Sequence, residues 1–317
     1  MNILSLFDGM SCGQIALNRA GITYDKYFAS EIDKYAIRVT QHNFPDTIQL
    51  GDITKIAASD LPKIDLVIGG SPCQGFSLAG KQLNFNDERS KLFFEYVRLL
   101  NDIRALNPNV KFLLENVKMK TEWVEKINEI LGVKGVFINS SLVSAQNRQR
   151  WYWTNIVFNR NIEDRGVKLS DILQDNVNDK YFIKSGRLVW LKKFGELKEK
   201  CGYVAFNPNK AKCLTVRSEP SWNTTYILQW PRCSDSGGIR GLDGKTPTLS
   251  TSSWPSNNLL LENGLVRKLT PIECERLQTV PDNYTDFASD TQRYKMLGNG
   301  WTVDIISHIF NGLKESV

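Results

Sequence analysis

The stretch MNILSLFDGMSCGQIALNRA, Met1 to Ala20, passes from an apolar run through a turn of Asp, Gly, Ser and Gly into helical spacing. NILSLF reads as a short buried strand and GQIALNRA as a helix. The pattern then repeats. YFASEI is a second strand, followed by the helix-like DKYAIRVTQHNF. IDLVIG and KFLLENV are two more apolar runs, with RSKLFFEYVRLLNDI between them at helical spacing. TEWVEKINEIL is another helix, and GVFINSSLV and RWYWTNIVF close the region as strands. Strand and helix in alternation predict an α/β fold, a parallel sheet with helices on both faces. In such sheets ligands bind beyond the carboxyl ends of the strands.

The chain has 317 residues, enough for a full core and for two domains. With 41% hydrophobic and 23% charged residues it falls in the soluble globular class. No apolar run approaches the roughly 20 residues of a membrane span, and the start lacks the basic leader of a signal peptide. Six cysteines, at 12, 73, 201, 213, 233 and 274, form no CxxC pair, and there are only two histidines, His42 and His308. Neither a metal site nor a disulfide framework is expected, and a reducing cytoplasm fits this usage. The net charge of +6 suits a nucleic-acid partner without requiring one.

The texture changes after about residue 170. From 207 to 263 the chain is rich in Ser, Thr, Asn, Pro and Gly, with Trp222, Trp230 and Trp254 interspersed and no helical period. A smaller, mostly β domain is expected there. KAKCLTVRSEPSWN (210–223) echoes KTPTLSTSSWPSNN (245–258), but two copies do not make a solenoid. LTPIECERLQTV starts a helix: Thr270 caps it, Pro271 suits its first turn and Glu273 completes a capping box. TVDIISHIFNGL is a last amphipathic helix that must pack back on the first domain. The expected division is 1–170, a cofactor-binding and catalytic domain; 171–265, a recognition domain; and 266–317, helices returning to the first.

Four features carry chemistry. Gly9 and Gly13 between strand and helix let a ligand approach the backbone, and the helix amino terminus beyond favours electronegative groups. Glu31, at the end of the next strand, stands where a dinucleotide-type fold places an acid on the ribose of an adenosine-containing ligand, and Asp52, in LGDIT, ends a third strand edge. GxGxxG is absent, however, and an ordinary strand-to-helix turn is the plain alternative. Cys73 follows a buried strand in GGSPCQGFS (69–77). A free cysteine is commonly an inert small hydrophobe, but Glu115 ends the strand KFLLE, and Arg148 and Arg150 lie at another strand boundary. A carboxylate there needs partners. A cap, an ion pair or a solvated turn would each explain one of these residues. A thiol, an acid and arginines at one sheet edge together suit nucleophilic addition to an electron-poor ring.

At these residues the chain resembles the cytosine-C5 DNA methyltransferase family over nearly its whole length. LFDGMSCG is similar to its cofactor turn, SEIDKYA to its ribose-binding segment and GDI to its adenine contact. SPCQGFSLAGKQ resembles the nucleophile loop, LLENV the glutamate motif and QNRQRWYW the paired-arginine motif. RKLTPIECERLQTVPDNY and YKMLGNGW resemble the two closing motifs. QTVPD replaces the usual QGFPD, Ser11 a common glycine, and Trp301 follows GNG. LFDGxxxG and the tryptophan near the end resemble the animal de novo branch, whereas the short chain with PCQ and GN resembles prokaryotic or phage enzymes.

The resemblance implies a class I methyltransferase sheet, Rossmann-like, that uses S-adenosylmethionine and no metal. Its cofactor residues would be Phe7, Asp8, Gly9, Met10, Ser11, Cys12, Gly13, Glu31, Ile32, Asp52, Ile53, Pro72, Leu92, Asn299 and Trp301. Cys73, Glu115, Arg148 and Arg150 would be the catalytic set. Cys73 would add to C6 of a flipped-out cytosine, with Glu115 at N3 and the amino edge. Arg148 would contact O2 or lower the thiol pKa. The loop 74–90 would close over the base, with Gln74 and Ser77 on phosphate or in the vacated stack. Arg217 and Arg240 are the first candidates for base edges, Lys210 and Lys245 for phosphates, and Thr248 and Leu249 for further DNA contacts. The implied partner is double-stranded DNA, for a monomer in the cytoplasm with room for a cognate restriction endonuclease. Two alternatives stand beside this: a tRNA methyltransferase, which Cys213-Leu214-Thr215 faintly resembles in signature, and a DNA-binding regulator without activity.

Overall fold

The computed structural model describes residues 1–72, 91–182, 226–229, 238–241, 246–248, 259–262 and 265–316. The first domain alternates as expected: β1 (Asn2–Leu6), α1 (Cys12–Arg19), β2 (Lys26–Ser30), α2 (Lys34–Asn43), β3 (Ile48–Gln49) and β4 (Leu66–Gly69). Then come α3 (Lys91–Leu106), β5 (Lys111–Val117), α4 (Thr121–Leu131), β6 (Val136–Asn139), β7 (Gln146–Asn147) and β8 (Gln149–Thr154). Seven strands form one sheet in the order β3-β2-β1-β4-β5-β8-β6. β1 to β5 are mutually parallel. The sheet is mixed rather than wholly parallel, because β8 runs antiparallel to both β5 and β6. The reason is chain length. Only residues 140–148 join β6 to β8, and a parallel return needs a crossover of about a dozen residues or more.

The alternation of side chains along the central strands divides the core in two. Ile3, Leu66, Ile68 and Leu113 face one layer, with Ile15, Ala16 and Leu17 of α1. Leu4, Leu6, Val67, Phe112 and Leu114 face the other, with Phe93, Tyr96 and Leu100 of α3 and Ile127 of α4. Burial on both faces is why these strands read as continuous apolar runs. Gly13 lets α1 approach closely: a Cβ there would lie 2.5 Å from Ile68 Cδ1 and 2.6 Å from Tyr27 Oη.

The second region is a four-stranded antiparallel sheet in the order β10-β9-β12-β13. Its strands are β9 (Tyr226–Gln229), β10 (Gly238–Gly241), β12 (Leu259–Glu262) and β13 (Leu265–Lys268). Between them β11 (Thr246–Pro247) leaves to pair in parallel with β7 of the first domain. β13 runs straight into α5 (Pro271–Leu277), followed by α6 (Asp290–Asn299) and α7 (Val303–Phe310). The last helix packs on α1, as its apolar face requires, and Asp304 at its start takes ion pairs from Arg19 and Arg165.

The capping box is present: Thr270 Oγ1 accepts from the Glu273 amide at 3.1 Å, and Glu273 Oε2 accepts from the Thr270 amide at 2.7 Å. The same carboxylate receives both terminal nitrogens of Arg267 at 2.9 Å, with neither side chain exposed. Oε1 also accepts from the Gln174 amide at 3.0 Å. A buried ion pair adds little when intact but costs about 3–5 kcal/mol when one partner is removed. Arg267→Met is therefore expected to lower the free energy of unfolding by that amount, read from urea denaturation. An unchanged midpoint would mean that the Glu273 carboxylate is satisfied without its cation.

Candidate active site

The site lies at the carboxyl ends of β1, β2, β4 and β5. After β1 the chain turns through three left-handed residues, Phe7 (φ 58°), Gly9 (φ 61°) and Ser11 (φ 62°). Such conformations are unfavourable for residues other than glycine and persist only where neighbours enforce them. Here the Asp8 amide donates to the Ser30 carbonyl at 3.1 Å and the Gly9 amide to Glu31 Oε2 at 2.8 Å. Tyr284 Oη donates to the Met10 carbonyl at 2.7 Å. Glu31 Oε1 accepts from the amides of Ile32 and Asp33, at 2.7 and 2.8 Å. The acid at the end of β2 thus organises the turn beside it.

The expected cofactor residues fall into two groups. Phe7, Asp8, Gly9 and Glu31 are half-buried, and Ile32 is 77% exposed. Met10, Ser11, Cys12 and Gly13 are buried beneath them. Burial pushes the Cys12 thiol up to about 12, so it stays protonated and acts as packing. The Asp8 carboxyl accepts from Tyr27 Oη at 2.8 Å through one oxygen. The other is buried with no partner among the described residues, and burial raises this acid from 3.8 to about 6. Asp52 caps a short helical turn, accepting from the amide and hydroxyl of Thr54 at 3.0 and 2.9 Å. The Thr54 amide holds its pKa below the usual range. Ile53 is buried behind it, while Pro72 and Leu92 are half-buried.

Asn299 ends α6 exposed to solvent and Trp301 follows it, 9% exposed. Gly70 separates Trp301 from Glu115. A Cβ at Gly70 would lie 2.9 Å from Trp301 Nε1 and 3.1 Å from Glu115 Oε2. Glu115, 8% exposed, is paired through Oε1 with Arg150 Nε at 2.8 Å. Arg150 also donates Nη1 to the Gln149 carbonyl, and its other terminal nitrogen has no partner among the described residues. Arg148 is buried close by, within electrostatic reach of Glu115 and Arg150. Its guanidinium donates to the carbonyls of Gly298, at 3.4 Å, and Gly300, at 2.8 Å. Burial, with the Arg150 charge, lowers its pKa to about 9.

Asn116 donates to Ser71 Oγ at 3.2 Å and fixes the segment that leads into residue 73. It was not singled out from the sequence, although it lies in the quoted LLENV. Thr248 Oγ1 donates to the Asn147 carbonyl at 2.6 Å. Arg240 is placed by its main chain alone, on β10 opposite Ile227. Cys73, Gln74, Ser77, Lys210, Arg217, Lys245 and Leu249 lie outside the described residues. Among the described residues no cluster of His, Cys, Asp and Glu has the makings of a metal site, and no helix is long and apolar enough to cross a membrane.

Comparison with known proteins bears on this arrangement. A family model described as C-5 cytosine-specific DNA methylase matches residues 1–315. The Type II methyltransferase M1.ScrFI of Lactococcus lactis subsp. cremoris is 32% identical over 91% of this chain and 72% of its own length. The orphan methyltransferase M.SPRI of Bacillus phage SPR is 25% identical over 99% and 97%. Among solved structures, the Entamoeba histolytica methyltransferase EhMeth superposes with a TM-score of 0.66, covering 100% and 98% of the two chains at 19% identity. That likeness concerns the fold.

The Asp8 carboxyl gives a pH signature. Its pKa is near 3.8 unfolded and about 6 folded, so between these values the folded state holds more protons. Its contribution to stability is then present below pH 4 and lost as pH rises through about 6. The loss amounts to roughly 3 kcal/mol at full effect. Urea unfolding of ligand-free wild type and Asp8→Asn from pH 4 to 7.5 is expected to show the variant gaining on wild type across this window. Parallel curves would mean that the carboxyl is solvated.

Proposed function

The chain belongs to the C-5 cytosine-specific DNA methylase family and is a DNA (cytosine-5-)-methyltransferase, and from that premise we propose that S-adenosylmethionine binds across the β1 turn while Cys73 attacks a cytosine turned out of the duplex. The observation that carries this reading is the ion pair of Glu115 with Arg150. It stands one glycine away from Trp301, at the end of the sheet where the Gly70–Pro72 segment delivers residue 73.

The residues present fit the cofactor. Ile32 offers an exposed apolar surface beside Glu31. The Glu31 carboxylate accepts three amides and keeps an acceptor site for a ribose hydroxyl. Asp52 has one oxygen without a partner among the described residues, suited to the adenine amino group. Asn299 and Trp301 close the other side. When bound, S-adenosylmethionine supplies an electrophilic methyl group to C5 of the base.

The protein's part is to make C5 nucleophilic. Addition of the Cys73 thiolate to C6 breaks the ring's aromaticity and leaves an enamine. Glu115 holds the N3 and amino edge and supports protonation at N3, so that the ring accepts the thiolate's electron pair. Arg150 orients Glu115 through Oε1, and its remaining nitrogen is available to the base O2. Arg148 donates to the Gly298 and Gly300 carbonyls and so supports the turn of Asn299 and Trp301. After methylation C5 gives up its proton to a base and the pair returns to expel Cys73. A stacked cytosine does not reach this pocket, and flipping it out costs a few kcal/mol. Contacts from the 171–265 region, with Arg217 and Arg240 reading bases and lysines on phosphates, offset that cost and choose the sequence. The Type II names of relatives support a companion restriction endonuclease as partner.

Duplex DNA carrying 5-fluorocytosine lacks a C5 proton to lose, so with S-adenosylmethionine it is expected to trap a covalent adduct. Cys73→Ala should trap none, and an equal yield from that variant would move the nucleophile elsewhere. Glu115→Gln should keep DNA affinity but slow methylation by roughly two orders of magnitude or more.

Glu31→Ala is expected to weaken S-adenosylmethionine binding by about 1–3 kcal/mol, the scale of charge-assisted hydrogen bonds. Calorimetry giving the wild-type affinity would place the ribose away from β2.

A further inference from the structure

The turn that carries Asn299 and Trp301 is gripped from outside by Arg148, on the Gly298 and Gly300 carbonyls, and by Gln278. Gln278, the first residue after α5, is fully buried. Its Nε2 donates to the carbonyls of Leu297 at 2.5 Å and Gly300 at 3.3 Å. Its Oε1 accepts from Thr302 Oγ1 at 3.1 Å and from Gln146 Nε2 at 3.3 Å. Its main-chain carbonyl accepts from the Val303 amide at 3.0 Å. Helix α6 ends at Asn299, so the Leu297 and Gly300 carbonyls have no helical amide to bond. Gln278 supplies a donor to the Leu297 carbonyl and shares the Gly300 carbonyl with Arg148.

Two further observations point the same way. Thr279, next in the chain, adopts φ 53°, an unfavourable conformation for a β-branched residue. Its hydroxyl accepts from the Asp304 amide at 2.9 Å, which ties the distorted link to α7. On the opposite side Gly300 packs against the β1 turn: a Cβ there would lie 2.9 Å from Met10 Cε and 3.3 Å from Cys12 Sγ. The turn is thus pressed from one side by the glycine turn and held by Gln278 together with Arg148.

We propose that Gln278 is a positioning residue for the cofactor, fixing Asn299 and Trp301 at the rim of the site without touching the ligand. This rests on the reading that Asn299 and Trp301 face S-adenosylmethionine. A side chain that only stabilised the fold would affect every ligand alike once the protein is folded. A positioning residue affects the ligand whose wall it holds.

The test uses the full chain, steady-state methylation of duplex DNA and calorimetry with S-adenosylmethionine. Gln278→Leu removes both ends of the amide. Thr302→Val removes only one of the two donors to Gln278 Oε1 and keeps the test open should the first variant not fold. For Gln278→Leu, Kd and KM for S-adenosylmethionine are expected to rise on the order of tenfold, as for losing a hydrogen bond, with kcat at saturation and KM for DNA within about twofold of wild type. Thr302→Val should shift the same constants in the same direction by less. Wild-type cofactor affinity in folded samples of both variants overturns the proposal, as does a loss that falls on KM for DNA. Glu31→Ala serves as reference. If it weakens cofactor binding while the Gln278 and Thr302 variants do not, the inference alone fails. If none of the three does, the cofactor reading fails with it.

Discussion

A carboxylate at the end of an apolar strand has to find a cation, and here a reversed strand brings one. β8 runs against β5 in a register that sets Val117 opposite Arg150, so Arg150 reaches Glu115 at 2.8 Å. A parallel strand in the same place would carry its arginine at the other end of the sheet. The short return after β6 therefore does more than close the sheet. It fixes which end of β5 is polar, and with it the end where the acid, Gly70 and Trp301 meet.

The turn after β1 depends on a second set of constraints. Phe7 and Ser11 are held in left-handed conformations by amides and carbonyls whose partners come from β2, α2 and the segment after α5. Only the Ser11 amide to the Asp8 carbonyl is local to the turn; the other partners are distant in sequence. The site is therefore assembled by the whole first domain together with its returning carboxyl-terminal helices. The packing of α7 on α1 belongs to the same assembly.

Much of this was legible in the residues. Two-faced burial made β1, β4 and β5 visible as apolar runs, and Thr270, Pro271 and Glu273 announced the start of α5. The partner of Glu115 was not. Arg148 and Arg150 are two apart, so strand alternation puts them on one face and does not distinguish them. What separates them is the turn at Gly298–Gly300, which claims Arg148 from 150 residues further along the chain. The β7–β11 pairing was hidden because two residues carry no period. The left-handed Thr279 was hidden because its local preference points the other way, and contacts distant in sequence, from Asp304 to its hydroxyl and from Arg19 to its carbonyl, help to hold it.

The junction between the small sheet and α5 has an evolutionary consequence. An exchange of the small sheet between related genes has two endpoints. Arg267 lies on the last strand of the small sheet and Glu273 on the helix that follows, locked together with no exposure to water. A recombination endpoint between positions 267 and 273 gives the hybrid an arginine from one parent and its acid from the other. Endpoints on either side leave the pair intact. The buried ion pair thus marks a stretch of chain that is best kept as a unit, and it bounds where the small sheet can be exchanged.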